Sequence, residues 1–285
     1  MLRHIVGGLV VSLAAVLVGT LPAIRPHVDN SKLRFAKFLD RTSLALEGST
    51  ESRRLLAATI EPLADFPDGA TLRQIGRSVG VLWIDSVDRA GNTRTLQCTA
   101  TLIAPSVLIT NQHCLAFKGA AGRLSLEFWI DYRGGAAVLY EVDPTPIEID
   151  PHLDVALLRL LPNAAGRQTE PLSQPRFRVA IPGERLFLLH HPDSKPMQVS
   201  RTRCRVATPF VTGEQDLRHT CATWPGSSGA LIFAEQDLAI VGLHHSRRKS
   251  DEDPRGFATP ISALLAKSAT LRRLAPGGLA QTATR

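Results

Sequence analysis

From Ser78 onward the chain is a series of short apolar runs separated by turn residues, and that rhythm restricts it to a β-rich fold. Strands are predicted at 79–84, 94–103, 107–110, 124–131, 137–142, 154–160, 185–190, 196–207, 230–234 and 238–244, with a polar turn at Arg89-Ala90-Gly91-Asn92. Many short strands joined by turns specify a sandwich or a barrel. The 19 prolines and 21 glycines, spread along 285 residues, supply the turns. A helix is predicted after this block. Thr259 caps it, Pro260 takes its first position, and Ile261, Leu264, Leu265 and Leu271 follow.

The first 72 residues differ. Arg3 and His4 precede an apolar run from Ile5 to about Leu21, then Pro22-Ala23. A basic start, an apolar stretch and a small residue describe a secretory signal peptide over 1–24. The same run, left uncleaved, is an N-terminal membrane anchor through residues 5–21. Residues 28–64 read as helical. Leu33, Phe35, Phe38, Leu39, Leu44 and Leu46 follow a 3.6-residue period, and Leu55, Leu56, Ile60 and Leu63 continue it after Gly48. Residues 25–72 are therefore expected to be a helical extension, as a pro-segment or as a permanent brace. The main domain is assigned to 73–275 and a frayed tail to 276–285.

Four cysteines fall as Cys98/Cys114 and Cys204/Cys221, each pair closing a short loop, and none forms a C-x-x-C. The spacing argues against a structural zinc site and, with the N-terminus, for disulfides in an oxidising compartment. The alternative for Cys204/Cys221 is two free buried thiols. No metal or other cofactor is implied. A net charge of +7 favours acidic partners. Without a nucleic-acid motif or a basic stripe interleaved with aromatics, nucleic acid is not among the expected partners.

Three stretches carry candidate chemistry. In the first, His113 precedes Cys114 at the end of a strand pair, and a Cys98–Cys114 disulfide would hold its backbone rigid. A general base needs that rigidity to stay within reach of its nucleophile. In the second, Asp154 opens the apolar strand Val155-Ala156-Leu157-Leu158. A carboxylate there needs a partner, and a histidine ring N–H is a suitable one. In the third, Pro225-Gly226-Ser227-Ser228-Gly229 places a serine on a tight turn just before an apolar strand. The N–H groups of Gly226 and Ser228 could form an oxyanion hole there.

In the order His, Asp, Ser, these stretches resemble the trypsin/chymotrypsin-like serine proteases. The bacterial branch that includes the glutamyl endopeptidases is the most similar, with its T-N-x-H-C, L-D-x-A-L-L and P-G-S-S-G motifs. Leu189-His190-His191-Pro192 with Met197-Gln198-Val199-Ser200 resembles a strand pair of those enzymes. Ile240-Val241-Gly242-Leu243-His244 resembles the strand beside their specificity pocket, and Gly256-Phe257-Ala258-Thr259-Pro260-Ile261 their last strand. The resemblance covers roughly residues 75–270. It implies an all-β fold of two six-stranded antiparallel barrels with the site between them. It implies His113, Asp154 and Ser228 as a catalytic triad that cleaves protein or peptide substrates through an acyl-enzyme. Ser227 stands where the animal digestive enzymes carry an activating Asp. Ala222 and Thr223 match the primary pocket, with His244 on the later strand. No Asp stands among them, so a preference for Arg or Lys is disfavoured and one for acidic residues is implied. The chain is expected to act as a monomer, secreted, periplasmic or tethered to the outer face of the inner membrane. A catalytically silent member of the same fold, binding peptides or partners, is the competing expectation. His190-His191 and His244-His245 lack the spacing of a zinc-protease site.

Overall fold

A computed structural model describes residues 59–115, 123–130, 137–163, 166, 169–208, 216–247 and 256–275. The signal or anchor segment, the helical extension up to residue 58 and the tail from 276 lie outside the described residues. Among the described residues no helix is long and apolar enough to cross a membrane.

The described chain opens with strand β1 (Ile60–Pro62), a 3-10 turn at Leu63–Asp65 and helix α1 (Thr71–Gly76). Strands β2 (Val79–Val87), β3 (Thr93–Ala104), β4 (Val107–Thr110), β5 (Arg123–Ile130), β6 (Val138–Val142), β7 (Glu148–Asp150) and β8 (Val155–Arg159) form one sheet, in the order β6-β5-β2-β3-β4-β8-β7. The sheet closes on itself where Val142 bridges Leu160. Asp143 N–H donates to the Arg159 carbonyl and Leu161 N–H to that of Glu141. Six strands thus make a barrel, and β7 is added along β8. Alternation decides the lining. Leu82 and Ile84, Cys98, Ala100 and Leu102, Leu126 and Phe128, and Tyr140 and Val142 all point into one buried cluster.

The second sheet contains β9 (Leu186–His190), β10 (Gln198–Ser200), β11 (Leu217–His219), β12 (Leu231–Ala234), β13 (Ile240–Arg247) and β14 (Gly256–Pro260), in the order β1-β10-β9-β12-β13-β14-β11. It closes through residues 205–206, where Arg205 bridges Arg185 and Val206 bridges His219. This is again a six-stranded barrel, with β1 as the added strand. The expected fold class is therefore the observed one. The single strand predicted over 196–207 is split, because a turn at 202–203 puts Arg203 at φ 56°.

Two further readings are corrected. Ile60 and Leu63 do not continue a helix. Ile60, Glu61 and Pro62 pair antiparallel with Ser200, Val199 and Gln198. Tertiary contacts override the helical period here. Leu63 is buried beside Val79, Leu189, Met197 and Val199, and its N–H donates to the Met197 carbonyl. Arg201 holds Glu61 through two hydrogen bonds of 3.0 and 3.1 Å and lies over the Phe66 ring. At the other end, Thr259 belongs to β14 and donates its hydroxyl to the Leu153 carbonyl rather than capping. Pro260 takes the cap position. The C-terminal helix is two helices, α2 (Ile261–Lys267) and α3 (Ala269–Leu274), with Ser268 capping the second through Leu271 N–H.

A third buried cluster joins the barrels. Ile109, Val155 and Leu157 from the first meet Phe187, Leu231, Phe233 and Leu243 from the second, with Ile261, Leu264 and Leu271 of α2 and α3 against them. The end of β4 and the starts of β8 and β12 are thereby set side by side.

Candidate active site

His113 lies in a 3-10 turn (Gln112–Cys114) just past β4, and the disulfide from Cys114 to Cys98 ties that turn back to β3. Closing a loop of this length stabilises by about 3 kcal/mol in the chain-entropy treatment. Asp154 precedes β8 at φ 49°, a left-handed conformation that costs a non-glycine residue on the order of 1 kcal/mol. The side chain of Asn111 offsets part of that cost by donating to the Asp154 carbonyl at 2.8 Å. The conformation aims the carboxylate at His113 twice. Oδ1 accepts the His113 backbone N–H at 2.8 Å, and Oδ2 lies 2.7 Å from Nδ1. A carboxylate cannot donate, so Nδ1 carries the ring proton and Nε2 keeps its lone pair. The neutral His113 ring thus has a fixed tautomer and orientation, and its side chain is 44% exposed.

Ser228 sits in the turn before β12. Trp224 to Ser227 form a turn closed by Ser227 N–H on the Trp224 carbonyl, with Pro225 and Gly226 at its centre. Gly226 has φ +93°, and a Cβ there would lie 2.5 Å from the His191 carbonyl oxygen. Gly229 has φ +87°, and a Cβ would overlap the Thr99 carbonyl oxygen. Both positions therefore require glycine. Thr99 of the first barrel holds the turn from the other side. Its N–H donates to the Ser228 carbonyl and its hydroxyl to that of Gly226, both at 2.8 Å.

The carbonyls of this turn orient its amides. Asp193 N–H binds the Pro225 carbonyl at 2.7 Å, and Ala230 N–H binds that of Ser227 at 3.1 Å. In a trans peptide the N–H points away from the carbonyl. The Gly226 and Ser228 N–H groups therefore face away from those anchors, and neither has a hydrogen-bond acceptor among the described residues.

The structure brings His113 and Asp154 together but gives the Ser228 hydroxyl another partner. It donates to the His245 carbonyl at 3.3 Å. His245 in turn pairs its Nε2 with Asp216 at 3.1 Å. Among the predicted pocket residues Ala222, Thr223 and His244 are all buried, and the Thr223 hydroxyl has no partner among the described residues. His244 has one that the sequence analysis missed. His219 accepts the Cys221 N–H at Nδ1, and its Nε2 lies 3.0 Å from His244 Nδ1. The first bond fixes the second. His219 donates to His244, and the His244 proton is left on Nε2 with no acceptor among the described residues. Burial holds His219 near a pKa of about 3, helped by Arg247 and His245. Burial and then the His219 ring push His244 well below the ordinary value. The pair is neutral. The second disulfide, Cys204–Cys221, anchors this segment.

Cys98, His113 and Cys114 cluster closely enough to suggest a metal, but both sulfurs are in the disulfide and neither is a thiolate.

No curated protein matches the sequence. Solved structures similar to this chain include the crystal structure of the Rv3671c protease in an inactive form, at 18% identity and a TM-score of 0.47, covering 68% of this chain and 90% of that one. Another is an inactive-form structure of Rv3671c from M. tuberculosis H37Rv with a serine-to-alanine mutation, at 18% identity and a TM-score of 0.47, covering 74% and 93%. The family description "Trypsin-like peptidase domain" matches residues 98–243, from the disulfide beside His113 to the residue before His244. That match spans just over half of the 285 residues and contains His113, Asp154 and Ser228, and the chain belongs to the trypsin-like peptidase domain family.

Proposed function

We propose that the protein is an exported serine endopeptidase in which His113, Asp154 and Ser228 cleave peptide bonds through an acyl-enzyme. The observation that carries the reading is the pair of hydrogen bonds that His113 donates to the Asp154 carboxylate. It leaves Nε2 as the proton acceptor that the chemistry needs. The Ser228 Oγ bonds to the substrate carbonyl carbon as its proton passes to His113 Nε2. The oxyanion takes hydrogen bonds from the Gly226 and Ser228 N–H groups. His113 then gives its proton to the leaving amine as the C–N bond breaks, leaving an ester on Ser228. Water, deprotonated by His113, attacks that ester, and the acid product leaves as Ser228 regains its proton. The two disulfides support export to an oxidising compartment.

The pocket supports acidic side chains before the scissile bond. His244 offers Nε2–H, and the Thr223 hydroxyl is buried without a partner among the described residues. A carboxylate satisfies both donors, whereas an apolar side chain leaves the Thr223 group unpaired, a loss of about 1–3 kcal/mol. Cleavage of a mixed peptide library by the full chain, read by mass spectrometry, tests the reading. Internal cuts after Glu or Asp, absent in Ser228→Ala, are expected. Cuts after apolar residues would remove the acidic preference alone.

One observation favours a second reading, a silent protein that binds peptides. The Ser228 hydroxyl is held by the His245 carbonyl. Absence of any cut by folded protein would favour that reading.

A further inference from the structure

The catalytic scheme leaves His190 without a role, although the ring is fully buried within reach of the serine turn. Its two nitrogens are both engaged. Nδ1 lies 2.6 Å from Ser227 Oγ, and Nε2 lies 3.1 Å from Ser200 Oγ. Each serine is bonded once more. Ser200 Oγ donates to the Ala222 carbonyl at 2.7 Å, and Ser227 Oγ accepts the Trp224 N–H at 3.0 Å. Ala222 and Trp224 are two residues apart, so the bonds close a ring: Ala222, Ser200, His190, Ser227, Trp224.

With a neutral imidazole, only one set of proton positions satisfies this ring. The Ala222 carbonyl can only accept, so Ser200 gives it the hydroxyl proton and takes its own bond from His190 Nε2–H. A neutral ring then offers its lone pair at Nδ1, which takes the hydroxyl proton of Ser227, while Ser227 Oγ accepts the Trp224 N–H. The neutral His190 ring therefore carries its proton on Nε2. The ring spans β9, β10, the pocket wall and the turn that carries Gly226 and Ser228. A hydrogen bond at both ends of one rigid imidazole sets the spacing between the wall and the turn.

We propose that His190 is a positioning residue, a single-tautomer spacer that holds the Trp224–Ser227 turn in register with the pocket wall at Ala222. The proposal rests on the peptidase reading above only for its kinetic consequence; the ring itself stands on geometry. Burial supports the neutral form, with the neighbouring His191 adding to it. The role differs from that of a packing residue, because it demands one acceptor and one donor on the same side chain.

Two measurements on the full chain test it. Nitrogen-15 NMR of histidine-labelled wild type reads the tautomer directly and needs no activity. A neutral His190 with its proton on Nε2 at pH 7, and a shift of the Gly226 amide signal in Ser227→Ala, are expected. A proton on Nδ1, a charged ring or an unmoved Gly226 signal would overturn the proposal even if the protein cleaves nothing. Kinetics supplies the second. His190→Leu is expected to lower kcat per titrated active site by about a hundredfold with KM nearly unchanged, because a displacement of about 1 Å in the serine turn costs that much. His190→Gln, with one acceptor and one donor, is expected to recover most of the loss. An unchanged kcat per titrated site in His190→Leu, with only the melting temperature lowered, would reduce His190 to packing. A wild type that takes no active-site label would remove the peptidase reading, and the NMR result alone would then decide the spacer.

Discussion

The most consequential residue is Asp154, because one side chain sets both the backbone and the ring of His113. Asp154→Asn presents an amide where Nδ1–H needs an acceptor and favours the wrong tautomer. It is expected to lower kcat by about 10⁴ while leaving the fold intact, as removal of the carboxylate does in triads of this kind. Steady-state kinetics beside a thermal melt checks it, and a loss below tenfold would contradict the role. Gly229 is expected to be equally intolerant for a different reason. Its Cβ would strike the Thr99 carbonyl oxygen and the Thr110 side chain, so Gly229→Ala should displace Ser228 or prevent folding. Soluble expression and circular dichroism would separate the two. A variant with wild-type stability and kinetics would contradict the packing.

At the scale of elements, the first described strand and turn are part of the peptidase body. Leu63 fills a buried cluster with Met197 and Val199, and Glu61 is held by Arg201. Leu63→Ala is expected to destabilise by about 2–5 kcal/mol, read from the urea midpoint. A shift below about 0.5 kcal/mol would mean that the segment is dispensable. Little of this was legible in the sequence. Ile60 and Leu63 fit a helical period, and only the partner strand 140 residues away makes Ile60 β and sets Leu63 in the 3-10 turn that follows. By contrast, β4 was legible to the residue at 107–110, since its apolar run sits between clear turn signals. The three-residue strands β7 and β11 carry too little pattern to be seen alone. The same contrast holds in the candidate site. His113 and Asp154 announce themselves through their flanking strands. The partners His219 for His244, and Ser200 for His190, depend on cross-strand and cross-loop placement that no local motif encodes.

At the scale of the molecule, the four buried histidines among the described residues couple stability to pH. Burial lowers His190 and His219 to about 3 and His191 to about 4, with His244 also well below its ordinary value of 6.5. The unfolded chain therefore takes up these protons first as pH falls. Their contribution is complete above about 6.5 and is lost as pH falls, toward about 4 for His191 and about 3 for His190 and His219, by up to about 1.4 kcal/mol per pH unit for each of these three, with His244 acting in the same direction. The urea midpoint is expected to fall steeply from pH 7 to pH 5 at constant salt, and a flat profile would contradict neutral, buried rings. The two barrels also divide the site, His113 and Asp154 on one and Ser228 on the other. The most direct test of the account is reaction of the folded chain with a fluorophosphonate probe, followed by peptide mapping. Phosphonylation of Ser228 alone, abolished in Ser228→Ala and strongly slowed in His113→Ala, is the expected result. A folded protein that takes no label at Ser228, or takes it equally well without His113, would contradict the triad.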